Sequence, residues 1–141
     1  MTGQGLYLVD TSAWIFALRR TPNETIRRRI YGLGQQDALA TCGVVELELL
    51  GGAANQREFE RLEDQLKGLR RLLVEESDWN SAARLAFSLR RAGVTVPYLD
   101  LLLSALALRH SAVLVHADRD FDVIAGHSDL QVESLVDAVS G

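Results

Sequence analysis

Gly5-Leu6-Tyr7-Leu8-Val9-Asp10-Thr11-Ser12-Ala13-Trp14-Ile15-Phe16-Ala17-Leu18 is the stretch whose reading decides the fold. Four apolar residues behind a glycine make a short strand of the buried kind. Asp10, Thr11 and Ser12 then supply the cap chemistry of a helix start. A strand that runs straight into a helix is the first half of a βαβ unit, whose next strand lies parallel to the first.

The rest of the chain repeats this unit. Thr21-Pro22-Asn23-Glu24 opens a second helix with Pro near its first turn, and Gly32 and Gly34 are expected to close it. A strand follows near Ala38 to Thr41, then a helix from about Gly43 to Leu50 that stops at Gly51-Gly52. Residues 55–68 are helical and charged, and Leu72-Leu73-Val74 reads as a strand. Ser77-Asp78 caps a long helix to Arg91, ended by Gly93. Pro97 starts another helix through Arg109, Val113-Leu114-Val115 is a strand, a short helix spans about Arg119 to Ala125, and Leu130-Gln131-Val132 is a last strand. The expectation is an α/β fold, a small and mainly parallel β-sheet flanked by α-helices, with residues 1–141 as a single domain. The stretch 43–68 is the best candidate for a protruding arm.

With 48% apolar and 24% charged residues, the 141-residue chain has the composition of an ordinary globule with one core. One cysteine, Cys42, excludes an internal disulfide and a cysteine-based zinc cage. The N-terminus lacks the pattern of a secretory signal, and Leu101 to Leu108 is too short to cross a bilayer, so no membrane partner and a cytoplasmic location are expected. A net charge of −4 disfavours nucleic-acid binding by bulk electrostatics. The basic residues are nonetheless almost all Arg and clustered, at Arg19-Arg20, Arg27-Arg28-Arg29, Arg70-Arg71 and Arg90-Arg91, and Arg suits bidentate phosphate contact.

Four carboxylates sit where apolar elements end or turn inward: Asp10 after the first strand, Glu46 in Val44-Val45-Glu46-Leu47, Asp100 ahead of Leu101-Leu102-Leu103, and Asp118 after Val113-Leu114-Val115-His116. Asp10 and Asp118 lie at the carboxyl ends of parallel strands, where ligands of such sheets gather, although each also serves as a helix cap. Glu46 has Cys42, Gly43, Leu49 and Leu50 as its helical neighbours, whereas Glu48 points the opposite way. A Glu so placed needs a buried Arg partner or a cation. The face of Asp100 continues through Leu103, Ser104 and Ala107, which also turns it inward.

Inward carboxylates suit a hard, oxygen-loving ion such as magnesium or manganese, which activates water for attack on phosphate esters. Asp120 is placed to join the metal shell, and Asp122 reads as a solvated helix charge. Ser12 either caps the helix or holds a phosphate or metal-bound water. Crowded in this way, Glu46 is expected to destabilise the metal-free chain, so that Glu46→Gln raises its stability. His116 packs at a strand end or faces the site, and no histidine pair has metal-binding spacing.

Four segments carry a resemblance: Leu8-Val9-Asp10-Thr11-Ser12-Ala13-Trp14, Val45-Glu46-Leu47-Glu48-Leu49-Leu50-Gly51-Gly52, Tyr98-Leu99-Asp100-Leu101-Leu102-Leu103-Ser104-Ala105 and His116-Ala117-Asp118-Arg119-Asp120-Phe121-Asp122. In this order and at these separations they resemble the PIN-domain family, in particular VapC-type toxins of bacterial toxin–antitoxin pairs. The resemblance implies an endoribonuclease using magnesium or manganese held by Asp10, Glu46, Asp100 and Asp118, with Asp120 beside them. It further implies an RNA substrate, often structured RNA such as tRNA, a homodimer, and inhibition by a cognate antitoxin. Arg19, Arg20 and Arg27 to Arg29 are candidate phosphate contacts, with Ser12 as a further substrate-binding candidate.

Other phosphate enzymes fit less well. A haloacid-dehalogenase-like phosphatase wants an Asp two residues after Asp10, where Ser12 stands; a receiver domain wants a Lys near the last strands, and Lys67 lies mid-chain. A non-toxin nuclease, or a non-catalytic RNA- or protein-binding module of the same fold, is the alternative of a different kind. It leaves four inward carboxylates without a purpose.

Overall fold

The computed structural model describes residues 5–139. Strand β1 (Tyr7–Val9) runs into α1 (Thr11–Leu18) and α2 (Glu24–Gln35); β2 (Leu39–Cys42) runs into α3 (Gly43–Gly51) and α4 (Gln56–Lys67). Strand β3 (Arg70–Leu72) leads to α5 (Glu76–Arg91) and α6 (Tyr98–Arg109), and β4 (Val113–His116) to α7 (Arg119–Gly126). Strand β5 (Val132–Ser134) and α8 (Val136–Val139) close the order. All strand pairs are parallel, in the order β3-β2-β1-β4-β5.

That order positions the site. From β1 the chain builds outward on one side through β2 and β3, then crosses to β4 and β5 on the other. The carboxyl ends of β1 and β4 are therefore neighbours at a topological switch point, where crossover connections diverge and leave a crevice. Val9 pairs with Val115 there, and the N–H of Asp10 donates to the Val115 carbonyl at 2.8 Å.

Helix α6 explains why Asp100 faces inward. Leu101 to Ala107 are all buried, so this helix is apolar around its whole girth and has to be central. Each buried leucine contributes roughly 1.5–3 kcal/mol. Its far end is tied to α5: Arg109 Nε and Nη2 donate to the buried Asp78 at 2.8 and 3.0 Å, and Nη2 also reaches the Leu73 carbonyl at 2.8 Å.

Several sequence expectations need correction. Helix α2 continues through Gly32 and Gly34 because its buried stripe of Ile26, Ile30 and Leu33 continues, and Asp37 turns the chain with φ 55°. Strand β3 begins two residues early, with Arg70 and Arg71 exposed and only Leu72 buried, and β5 begins two residues late. Both are sheet edges, where backbone pairing rather than an apolar run sets the strand. The cap of α5 is Glu75, which forms a reciprocal capping box with Asp78. Stretch 43–68 is no free arm: α3 packs on α1 and β2, and α4 on α3, burying Val45, Leu49, Leu62 and Leu66. Helix α8, a single turn of four residues, is not anticipated from the sequence. Among the described residues no helix is long and apolar enough to cross a membrane.

Candidate metal centre

Asp10 leaves β1 as the cap of α1: its Oδ2 accepts the Ser12 N–H at 3.0 Å and the Ser12 hydroxyl at 2.7 Å. Only 5% of Asp10 is exposed, and burial holds its pKa above the ordinary carboxylate value in spite of those bonds. Ser12 Oγ in turn accepts the N–H of Ala117 at 3.0 Å, so one hydroxyl ties the end of β1 to the turn after β4. Asp118 caps α7, its Oδ1 accepting the Asp120 N–H at 2.9 Å.

Asp100, in the first turn of α6, completes the convergence. One oxygen each from Asp100, Asp118 and Asp120 lie within 4.8 Å of one another. Asp10 and Glu48 lie near enough for their charges to act on Asp100. Asp100 Oδ2 is buried with no hydrogen-bond partner. Burial first, then the charges of Asp10, Asp118, Asp120 and Glu48, push the Asp100 pKa up to about 7. Asp120 is also raised, by burial and by Asp118. No guanidinium or ammonium is paired with any of these carboxylates among the described residues.

Glu46 departs from the expected set. Its Oε2 pairs with Arg71 Nε at 3.2 Å, on the side of α3 that faces Lys67 and Leu69 of the α4–β3 region. An Arg partner is one alternative the sequence leaves open for this residue, but the pair lies at the surface rather than buried, with the Arg71 side chain 54% exposed. Glu48, expected to point away, accepts the Thr11 hydroxyl at 2.7 Å beside Asp10, and its charge adds to the upward pKa shifts of Asp10 and Asp100. The reason is geometric. The buried stripe of α3 is Val45 and Leu49, and at about 100° per residue Glu46 and Glu48 both flank it by about 80°, on opposite sides. The sequence shows two flanking glutamates, and tertiary packing decides which one faces the switch point.

Among the basic candidates, Arg27 pairs with Glu24 at 2.8 Å and Arg29 with Glu133 at 2.7 Å, so neither is free for phosphate. Arg19 and Arg20 are exposed; the Arg19 guanidinium lies over the Phe16 ring at 4.5 Å and donates to the Thr21 carbonyl. Arg28 is 81% exposed and only loosely placed against Glu24. His116 is fully buried, so it packs at the strand end, and it also meets the site, its Nδ1 accepting the Asp118 N–H at 3.1 Å. Asp122 is not simply solvated, because it accepts the Ser134 hydroxyl at 3.0 Å.

The donor set suits a hard divalent ion. An orphaned, buried carboxylate oxygen surrounded by like charge is costly, and a cation relieves both the burial and the repulsion. All donors are carboxylate oxygens, the ligand type that hard divalent ions take.

Residues 7–127 match the family model described as PIN domain. The chain is 39% identical over 133 residues to Ribonuclease VapC11 of Mycobacterium tuberculosis, spanning 92% of this chain and 99% of that one. It is 30% identical over 135 residues to Ribonuclease VapC18 of the same species, spanning 93% and 96% of the two chains. Its backbone matches a structure of FitAB bound to an IR36 DNA fragment with a TM-score of 0.77 at 22% identity, over 92% of this chain and 94% of that one.

Proposed function

This chain belongs to the PIN-domain family, in its VapC branch, and on that premise we propose that it is the endoribonuclease toxin of a toxin–antitoxin pair, acting with magnesium or manganese. The observation that supports the metal most directly is Asp100 Oδ2, buried and unpartnered among four other carboxylates. Asp100, Asp118 and Asp120 are the nearest set to hold the ion, with Asp10 and Glu48 beside them; Glu46 is no longer in the set. When bound, such an ion lowers the pKa of a water and offsets charge on the scissile phosphate.

The chain's own residues do the positioning. Asp100 would hold the ion as a full carboxylate, the charged form that a bound cation favours. Ser12 holds Asp10 and the β4–α7 turn in one frame, so that carboxylates from β1 and β4 keep a fixed spacing. Arg19, Arg20 and Arg28, exposed on or after the first two helices, are the remaining candidates for RNA phosphates. Shape and unpaired loop bases are what such a site reads in structured RNA.

A cognate antitoxin and a second copy of the chain are the proposed partners, in the cytoplasm. An apolar hollow of about 230 Å³, lined by Trp14, Leu18, Ile30, Tyr31 and Leu69, offers an antitoxin segment a place to bury side chains. An arginine from that segment would replace the charge of the ion among the carboxylates. The test of the activity is cleavage of a structured RNA pool with magnesium, with EDTA, and by Asp100→Asn. Cleavage should need the metal and be lost in the mutant. Metal-independent cleavage, or unchanged cleavage by Asp100→Asn, would reject this reading.

A further inference from the structure

The turn between β4 and α7 carries Asp118 and Asp120 to Asp100, and side chains take up its backbone donors. Ser12 Oγ accepts the N–H of Ala117 at 3.0 Å, His116 Nδ1 that of Asp118 at 3.1 Å, and Asp118 Oδ1 that of Asp120 at 2.9 Å. His116 is the last residue of β4 and has no exposed surface. Its ring packs at a tilt on Phe121, with centroids 5.3 Å apart.

A backbone N–H can donate only to a ring nitrogen that keeps its lone pair. Nδ1 of His116 is therefore unprotonated, and in the neutral ring the proton sits on Nε2. Nε2 lies 3.2 Å from Asp122 Oδ1, short of good hydrogen-bond alignment but close enough for the carboxylate to favour a proton there. Asp122 Oδ2 accepts the hydroxyl of Ser134 on β5, so the edge strand steadies the carboxylate that steadies the ring. The sequence leads from β5 through Asp122 and His116 to the backbone of Asp118.

We propose that His116 is a positioning residue of the metal centre: through Nδ1 it fixes the backbone of Asp118 and so the direction in which that carboxylate points. This rests on the metal reading given above. Packing alone would need only a ring of the right size. The hydrogen bond needs an acceptor at the Nδ1 position. Groups that orient a ligand in this way commonly change metal affinity by about 10–100-fold when removed.

Two measurements test it. In the unmutated protein, nuclear magnetic resonance should detect a nitrogen–nitrogen scalar coupling between the Asp118 amide and His116 Nδ1. Manganese affinity, measured by calorimetry, should then separate two amide variants. His116→Asn places its oxygen near the Nδ1 position and should keep most of the affinity. His116→Gln places its oxygen near Nε2 and should lose about tenfold or more. No coupling, or equal affinity in the two variants, would overturn the proposal; if the variants fail to fold, the coupling alone decides. An unmutated chain that binds no manganese would bring down the metal reading and this proposal with it. An unmutated chain that binds manganese, with variants that do not separate, would bring down only the role of His116.

Discussion

Glu46 Oε2 lies 3.2 Å from Arg71 Nε, while two residues on Glu48 accepts the Thr11 hydroxyl at 2.7 Å and adds its charge to Asp10 and Asp100. The two glutamates of α3 thus have different surroundings, and the proposed site predicts different effects of changing them. Glu48→Gln should lower RNA cleavage by at least about tenfold and weaken manganese binding. Glu46→Gln should leave cleavage within a few-fold of the unmutated chain. It removes only a half-exposed ion pair, so it should lower stability by less than about 1 kcal/mol rather than raise it. Cleavage assays and melts on the two variants check this; equal loss in both would contradict the assignment.

The raised Asp100 pKa predicts how metal-free stability depends on pH. The carboxyl titrates near its ordinary 3.8 in the unfolded chain and at about 7 in the folded one. Between those values the unfolded chain binds fewer protons, so stability without metal should fall as pH rises from about 4 to about 7. Asp100→Asn should remove that slope and raise metal-free stability near neutral pH by about 1–2 kcal/mol, after a discount for partial solvent screening. Saturating magnesium should stabilise the unmutated chain more than the variant. Urea melts in EDTA and in magnesium measure all three effects.

Much of this was legible in the sequence, for physical reasons that differ by element. Strands β1, β2 and β4 lie inside the sheet, where near-continuous apolar runs are required, so Tyr7–Val9 and Val113–His116 stood out. Strands β3 and β5 are edges, and nothing in Arg70-Arg71-Leu72 marks it as paired. Asp10, Asp100 and Asp118 were legible because a strand end or an all-apolar helix leaves a carboxylate one direction to face. The pairing of Glu46 with Arg71 was not legible because both glutamates flank the same stripe, and no local rule says which flank meets the switch point. For His116 the sequence left packing and facing the site as alternatives, and the bond its Nδ1 accepts from the Asp118 N–H depends on a turn geometry that no local pattern shows.

Asp78 and Arg109 predict a purely structural effect. Asp78 is 1% exposed, and the Arg109 guanidinium beside it holds its pKa below the usual carboxylate range. A depressed pKa contributes stability that is present above the unfolded value and lost as pH falls through the folded one. Arg109→Met leaves the buried Asp78 charge unpaired and should lower stability near neutral pH, and less in acid. Chemical denaturation at the two pH values is the check; a loss that does not shrink in acid would contradict it.

Ser12→Ala removes both the donor to Asp10 and the acceptor of the Ala117 N–H. It should cost about 1–2 kcal/mol of stability, because one buried backbone donor is left unsatisfied. Manganese affinity should fall with it, since β1 and the β4–α7 turn lose their tie. A Ser12→Thr control, which keeps the hydroxyl, should recover both.

The most direct measurement is a manganese-soaked crystal of the unmutated chain, read by anomalous scattering. The predicted result is a peak within bonding distance of carboxylate oxygens of Asp100 and Asp118, with Glu46 still on Arg71. No peak there at saturating manganese, or a peak that recruits Glu46 away from Arg71, would contradict the account.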